Sequence, residues 1–184
     1  MMDTERPEAD LIEGTRRGDE RAFELLMRRH SQAIRRLIAR YFRNHMLVDD
    51  LAQETFVRAY FGLSRYRGDA PFVFWLKQIA VRLCLDEMRR RKAGSSLKQA
   101  DTEVDKDVPA PADGGTRQIE ARLLLEKMLA GLNPVDRMIL ILLDGEGYDA
   151  REISRLTGLS RANVKVRAFR IRRRLRALYG VGEA

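Results

Sequence analysis

A single cysteine, Cys84, excludes an intrachain disulfide and a cysteine-built zinc site. Histidine is nearly as scarce. His30 sits on an apolar stripe and His45 in a turn, with no second ligand spaced to either, so neither a metal nor a cofactor is expected. No apolar run approaches the roughly 18 residues that span a bilayer, so no membrane insertion is expected. The opening MMDTERPEADLIEG lacks the apolar core of a secretory signal. A glycine-rich phosphate loop, G-x-S-x-G and H-E-x-x-H are all missing, so no catalytic residue is assigned. What the chain does have is charge. Lys+Arg 35 against Asp+Glu 27 gives +8 in 184 residues, 34% of them charged and 45% hydrophobic. That balance points to a polyanionic partner, and the expectation is a soluble, cytoplasmic protein that is not an enzyme.

Residues 93–117, AGSSLKQADTEVDKDVPAPADGGTR, have no aromatic residue and no helical periodicity. They carry Asp101, Glu103, Asp105, Asp107 and Asp113 between basic flanks. Such a stretch cannot bury enough apolar area to offset its ordering entropy and reads as a flexible acidic linker. It divides the chain into domains at 1–92 and 118–184. Both halves read as helical, with no period-two alternation, so the expected fold is all-α: two small helical domains.

In the first half, helices are expected over about 9–17, 19–42, 48–63 and 72–92. Phe23, Leu26, Met27, His30, Ile34, Leu37, Ile38 and Tyr41 recur at three- and four-residue steps. Trp75, Leu76, Ile79, Ala80 and Leu83 form the core face of the fourth helix. The second half has helix signals over about 117–131, from Asn133-Pro134 to Gly145, from Asp149 to Gly158, and from Ser160 onward. Asp149-x-x-Glu152 is a variant of the capping box, and Gly158 fits a left-handed helix stop.

Three patterns bear on function. From Asp149 to Leu175, a short capped helix, a Thr157-Gly158-Leu159 turn and a very basic second helix make a helix-turn-helix pattern. Ile153, Leu156 and Leu159 would pack against Val164, Ala168, Ile171 and Leu175. Ala162, Lys165, Val166, Phe169, Arg170 and Arg173 then face outward, where a recognition helix reaches base edges. The bland alternative is a solvated basic helix, but Arg155 to Arg176 holds no acid with which to form i,i+4 pairs. A second pattern interleaves cations and rings: Arg65, Tyr66, Arg67, Phe72, Phe74 and Trp75, extended by Lys77, Arg82 and Arg89 to Lys92. Rings with cations suit unstacked bases. Phe72 and Trp75 read better as core, and the terminal basic run also complements a helix C-terminus. The third pattern is acidic: Asp49, Asp50, Gln53 and Glu54 share one side of the third helix, with Val57 one turn on. DNA would repel this face, which points to protein docking. The alternative is a solvated face whose acids favour the helix N-terminus.

These blocks are familiar. Asp49-Asp50-Leu51-Ala52-Gln53-Glu54-Thr55-Phe56-Val57-Arg58-Ala59-Tyr60 resembles the segment of bacterial sigma factors that grips core RNA polymerase. Arg65 to Phe72, then Trp75-Leu76, Ile79-Ala80, Leu85-Asp86 and Arg89-Arg90, resembles the melting and minus-10 region, and Leu132-Asn133-Pro134 through Leu175 the minus-35 region. Order and spacing are similar to the two-domain extracytoplasmic-function sigma factors of the sigma-70 family. The resemblance implies an alternative sigma factor that binds core polymerase, recognises promoter DNA and promotes its opening. Asp49, Asp50, Gln53, Glu54 and Val57 would face the clamp helices of the largest subunit, the second domain would meet the flap, and the linker would thread the active-site channel. Residues 63–71 would hold a flipped minus-10 base, with Arg65, Tyr66, Arg67, Phe74, Lys77, Arg82 and Arg89 on that strand. Arg161, Lys165, Val166, Phe169, Arg170 and Arg173 would meet the minus-35 element. An anti-sigma factor, often membrane-bound, is the implied regulator and would hold the protein near the inner membrane. Arg82 stands where the family commonly has asparagine, Ala162-Asn163 replaces Gly-Thr, and Val166 stands where a small polar residue is common. Two other classes remain open at this point. A free-standing helix-turn-helix regulator would need a dimer to span two half-sites. A metal nuclease using Asp49, Asp50 and Glu54 would need a third acidic cluster.

Overall fold

The computed structural model describes residues 6–42, 44–97, 128 and 131–179. Contacts group the chain into two units, Met1–Cys84 and Leu85–Ala184. The expected linker lies outside the described residues beyond Leu97, as does most of the helix expected over 117–131.

The first unit begins with α1 (Glu8–Arg16), whose first turn carries Glu8 and Asp10 against the positive end of the helix dipole. α2 (Glu20–Ala39) starts at Asp19, whose side chain accepts from the Ala22 amide. At Gly14 the two helices approach so closely that an added Cβ would lie 3.1 Å from the Ala22 Cβ. Leu26, His30, Ile34, Leu37 and Ile38 are buried along α2 as the periodicity predicts, while Phe23 and Met27 are only half-buried. α3 (His45–Gly62) starts three residues before the expected Val48, because Asn44 accepts from the Leu47 amide and caps it. Val48, Leu51, Ala52, Phe56 and Ala59 turn inward against α2. After a 3-10 turn (Leu63–Arg65), α4 runs over Phe72–Leu97. Phe72, Leu76, Ala80, Val81, Leu83 and Cys84 are buried on it, while Trp75 and Ile79 are half-buried. The helix continues past the expected end near Lys92. It passes through Ala93, a strong helix former, and the weak formers Gly94, Ser95 and Ser96 to Leu97, with no proline to stop it.

In the second unit, Asn133 caps α5 (Pro134–Leu140) by accepting from the Asp136 amide, with proline at the first helical position. The expected helix does reach Gly145, but its end widens into a π-turn (Ile141–Gly145), where the Glu146 amide donates to the Ile141 carbonyl. α6 (Ala150–Thr157) has the full reciprocal capping box. Asp149 accepts from the Arg151 and Glu152 amides while Glu152 accepts from the Asp149 amide. The backbone donors, that of Glu152 foremost, hold the Asp149 carboxyl below the usual carboxylate range. Ser160 caps α7 (Arg161–Tyr179) through the Asn163 amide. Met138, Ile139, Leu142, Ile153, Leu156, Val164, Ala168, Ile171 and Leu175 make the core, and Leu159 is half-buried at its edge.

Gly158 joins α6 to the turn at φ +76°, with open space where a Cβ would stand. Its need for glycine is therefore purely one of backbone strain. Gly158→Ala should lower stability by about 1–2 kcal/mol, the cost of a left-handed conformation for an L-residue. Urea unfolding followed at 222 nm measures it, and an unchanged midpoint would contradict this account of the turn.

Candidate nucleic-acid and protein interfaces

The turn between α6 and α7 is stitched by side chains. Ser154 Oγ donates to the Leu159 carbonyl at 2.6 Å, and Thr157 Oγ1 donates to Ile153 O while accepting from the Leu159 amide. This fixes the angle at which α7 leaves α6. With Val164, Ala168, Ile171 and Leu175 buried, the opposite side of α7 is bare. Arg161, Ala162, Lys165, Val166, Phe169, Arg170 and Arg173 are all exposed, Phe169 at 67%. The cations of this helix are not equivalent. Arg167 Nη1 donates to Asp136 Oδ1 at 2.6 Å and its Nε to Asn163 Oδ1 at 2.9 Å. Arg172 Nη2 donates to Asp144 Oδ1 at 2.6 Å. These two point back to the scaffold. Lys165, Arg170 and Arg173 make no ion pair with a described residue and line the bare face.

The second candidate surface surrounds the loop before α4. Arg65 and Arg67 are exposed, whereas Tyr66 is half-buried. Its hydroxyl donates to the Ala70 carbonyl at 2.8 Å, and its ring meets Phe72 and Trp75, each at 5.4 Å between centroids. Burial, and then the charge of Glu8, push the Tyr66 phenol above its ordinary value. Arg16 of α1 donates to the Tyr66 carbonyl. Below the loop Phe72 packs edge-on against His30, whose Nε2 lies 2.7 Å from Glu8 Oε2. The loop is thus held by an aromatic cluster beneath it and by α1 beside it. Along α4, Phe74 and Lys77 are half-buried, and Arg82 and Arg89 are exposed. Arg89 contacts Asp86 at 3.3 Å. Arg90 and Arg91 both hold Glu87 at 2.8 Å. Burial works to raise the Glu87 carboxyl, but the hydrogen bonds from Arg91 and Arg90 outweigh it and leave the group below its ordinary value.

The third surface is the outer side of α2 and α3. Asp49, Asp50 and Gln53 are exposed, Glu54 is half-buried, and Val57 is 43% exposed. Asp49 is tied to Arg35 of α2 at 2.9 Å and Glu54 to Arg58 at 2.7 Å. Asp50 makes no ion pair with a described residue. Beside these acids runs an apolar groove of about 640 Å³ floored by Phe23, Met27, Ala52, Phe56 and Tyr60. Met46 and Phe61 stand out at 78% and 79% exposure. The residue pattern marked Asp49, Asp50, Gln53, Glu54 and Val57, and missed Met46, Tyr60 and Phe61. The signal was there: α3 is apolar on two sides, one more than a surface helix needs to join its own core.

Among the described residues, no group of three His, Cys, Asp or Glu side chains is placed to hold a metal ion, and no helix is long and apolar enough to cross a membrane.

The pattern described as Sigma-70 region 2 matches residues 26–94, and that described as Sigma-70, region 4, matches residues 122–175. The chain is 32% identical over 176 residues to the ECF RNA polymerase sigma factor SigM of Mycobacterium tuberculosis H37Rv, covering 96% of this chain and 86% of the relative. It is 30% identical over 180 residues to the RNA polymerase sigma-H factor of Pseudomonas aeruginosa PAO1, covering 93% of each. Among solved structures, CnrH in complex with the cytosolic domain of CnrY matches with TM-score 0.62 and 27% identity over 96% of this chain and 99% of that one. The sigma factor RpoE of Bartonella quintana, solved with the anti-sigma factor NepR, shares the fold at TM-score 0.64 and 22% identity, covering 88% of this chain and 98% of that one. Two family regions in the family's order, with relatives aligned along nearly the whole chain, make this protein a member of the sigma-70 family, of extracytoplasmic-function type, and an alternative RNA polymerase sigma factor.

Proposed function

We propose that the three surfaces divide the work of initiation. The α2–α3 side, with Asp49, Asp50, Gln53, Glu54 and Val57, docks core polymerase. The loop over 63–71 and the Phe74, Lys77, Arg82 and Arg89 side of α4 engage the opened minus-10 strand, Arg65 and Arg67 outward and Tyr66 as part of the loop's support. The bare side of α7 reads the minus-35 element in duplex form. A region over about 1–92, whose last helix runs on to Leu97, serves the polymerase and minus-10 DNA, the stretch from there to 117 links it, and residues 118–184 serve the minus-35 DNA and the flap. The protein is a detachable specificity subunit that itself catalyses no reaction. It works in the cytoplasm and is held in check by an anti-sigma protein. The similar CnrH was solved with the cytosolic domain of CnrY, which supports regulation through a bound protein partner.

The observation that carries this reading is the sorting of cations on α7. Arg167 and Arg172 are held by Asp136 and Asp144, while Lys165, Arg170 and Arg173 surround an exposed apolar strip. A solvated helix has no use for such a sorting, whereas a major-groove reader does. The test is transcription by reconstituted holoenzyme on a library of minus-35 substitutions. Lys165→Ala and Arg170→Ala should relax preference at particular positions, each by roughly 1–3 kcal/mol of discrimination. Arg172→Ala, which removes a scaffold pair, should leave the preference profile intact. Even losses across the library in the 165 and 170 variants would reduce both side chains to phosphate contacts.

A further inference from the structure

Resting on the assignment of α7 as the minus-35 reader, we infer that this sigma factor recognises its minus-35 element through thymine methyl groups, and that Val166 selects for them. Ala162, Val166 and Phe169 follow the i, i+4, i+7 spacing of one helix face, and all three are exposed, Val166 at 47%. They form an apolar strip between Lys165 on one side and Arg170 on the other, with Arg173 one turn on. Beyond these borders Arg167 and Arg172 are drawn back to Asp136 and Asp144. In the docking assigned to α7 the apolar strip would meet the groove floor, with Lys165 and Arg170 on its borders and Arg173 continuing its line.

The chemistry of the groove then limits what the strip can read. Major-groove edges offer hydrogen-bond acceptors, amino donors, and one apolar group, the C5 methyl of thymine. Valine has neither donor nor acceptor. Pressed against an amino group or an unshared acceptor, it would strip water from a polar atom and supply nothing in return. Against a thymine methyl it loses nothing and removes apolar surface from water on both sides. Val166 thus favours thymine and disfavours bases whose polar edge would fall at that point. Phe169 and Ala162 extend the same preference along the strip.

The experiment uses full-length protein reconstituted with core polymerase. The preferred minus-35 element is first selected from the substitution library, and each thymine on either strand is then replaced by deoxyuridine. This deletes the methyl and keeps every hydrogen-bonding group. At the thymine facing Val166, promoter binding should fall about fourfold, the effect of one buried methyl losing its partner. Val166→Ser should abolish that sensitivity and Val166→Ile should keep it. Val166 is outside the core, so both variants should keep the helical content of the parent, checked by circular dichroism. A selected element without thymine overturns the inference. So does deoxyuridine without effect at every position, or equal sensitivity in the Val166→Ser protein. If deoxyuridine is harmless while Lys165→Ala and Arg170→Ala still relax base preference, α7 reads DNA without the methyls and only this inference fails. If those variants lose activity evenly as well, the assignment of α7 fails with it.

Discussion

Asp50→Lys is expected to weaken assembly with core RNA polymerase about thirtyfold or more, with helical content unchanged. Three acids stand on the outer side of α3, but two are already engaged. Asp49 reaches Arg35, and Glu54 reaches Arg58. Asp50 is exposed without an ion partner among the described residues. In a chain of net charge +8, an exposed acid beside an apolar groove would suit a basic partner surface. Reversing one member of a desolvated charge pair costs roughly 2–5 kcal/mol. Asp49→Ala should matter less, because Arg35 competes for that carboxylate. The measurement is a titration of labelled protein into sigma-free core polymerase. Equal affinity for wild type and Asp50→Lys would remove this face from the docking surface. Phe61→Ala should also weaken the complex, since its 79% exposure invites burial by a partner.

The largest effect on the protein's own stability should come from Phe72→Ala, about 3–5 kcal/mol. Phe72 is fully buried and shared by three neighbours: His30 of α2 at 5.6 Å, Tyr66 of the loop at 5.4 Å and Trp75 at 5.6 Å. Removing the ring leaves a cavity between α2, the loop and the start of α4. Since a domain is held by only about 5–15 kcal/mol in all, the first unit would be near its limit. Phe72→Leu, which keeps much of the volume, should cost less. Urea unfolding separates the two variants. The functional consequence is read from minus-10 opening at a temperature where both remain folded. The alanine variant should open promoters poorly, because Tyr66 loses a wall of the cluster that supports the loop. A Phe72→Ala protein with unchanged stability and unchanged opening would show that this cluster supports nothing.

Much of the fold follows from local chemistry that a chain displays in its letters. Asp19, Asn133, Asp149 and Ser160 cap helices because a short polar side chain can reach a free backbone amide within its own turn. Gly158 ends α6 because only glycine takes a left-handed conformation without strain. The cap of α3 was missed although Asn44 stands in plain sight, because the apolar pattern begins later, at Val48. The π-turn at Ile141–Gly145 left no local mark either. Two of its residues, Ile141 and Leu142, are buried in the second unit's core.

The candidate surfaces divide along the same line. Much of what could face DNA or a protein was legible in the letters: α7's outward side and α3's acids follow from helical periodicity, and the loop before α4 from its interleaved rings and cations. How each of those residues is used was decided by groups remote in sequence. Asp136 and Asp144 take Arg167 and Arg172 away from α7's outer face. Arg35 engages Asp49, whereas Asp50 has no ion partner among the described residues. Glu8, Arg16 and His30 hold the loop around Tyr66 from helices that lie well before it in the chain. A side chain's reach is set by its own bonds and can be read from the sequence. Its partner across a helix interface exists only once the helices have packed, and there the tertiary structure alone decides.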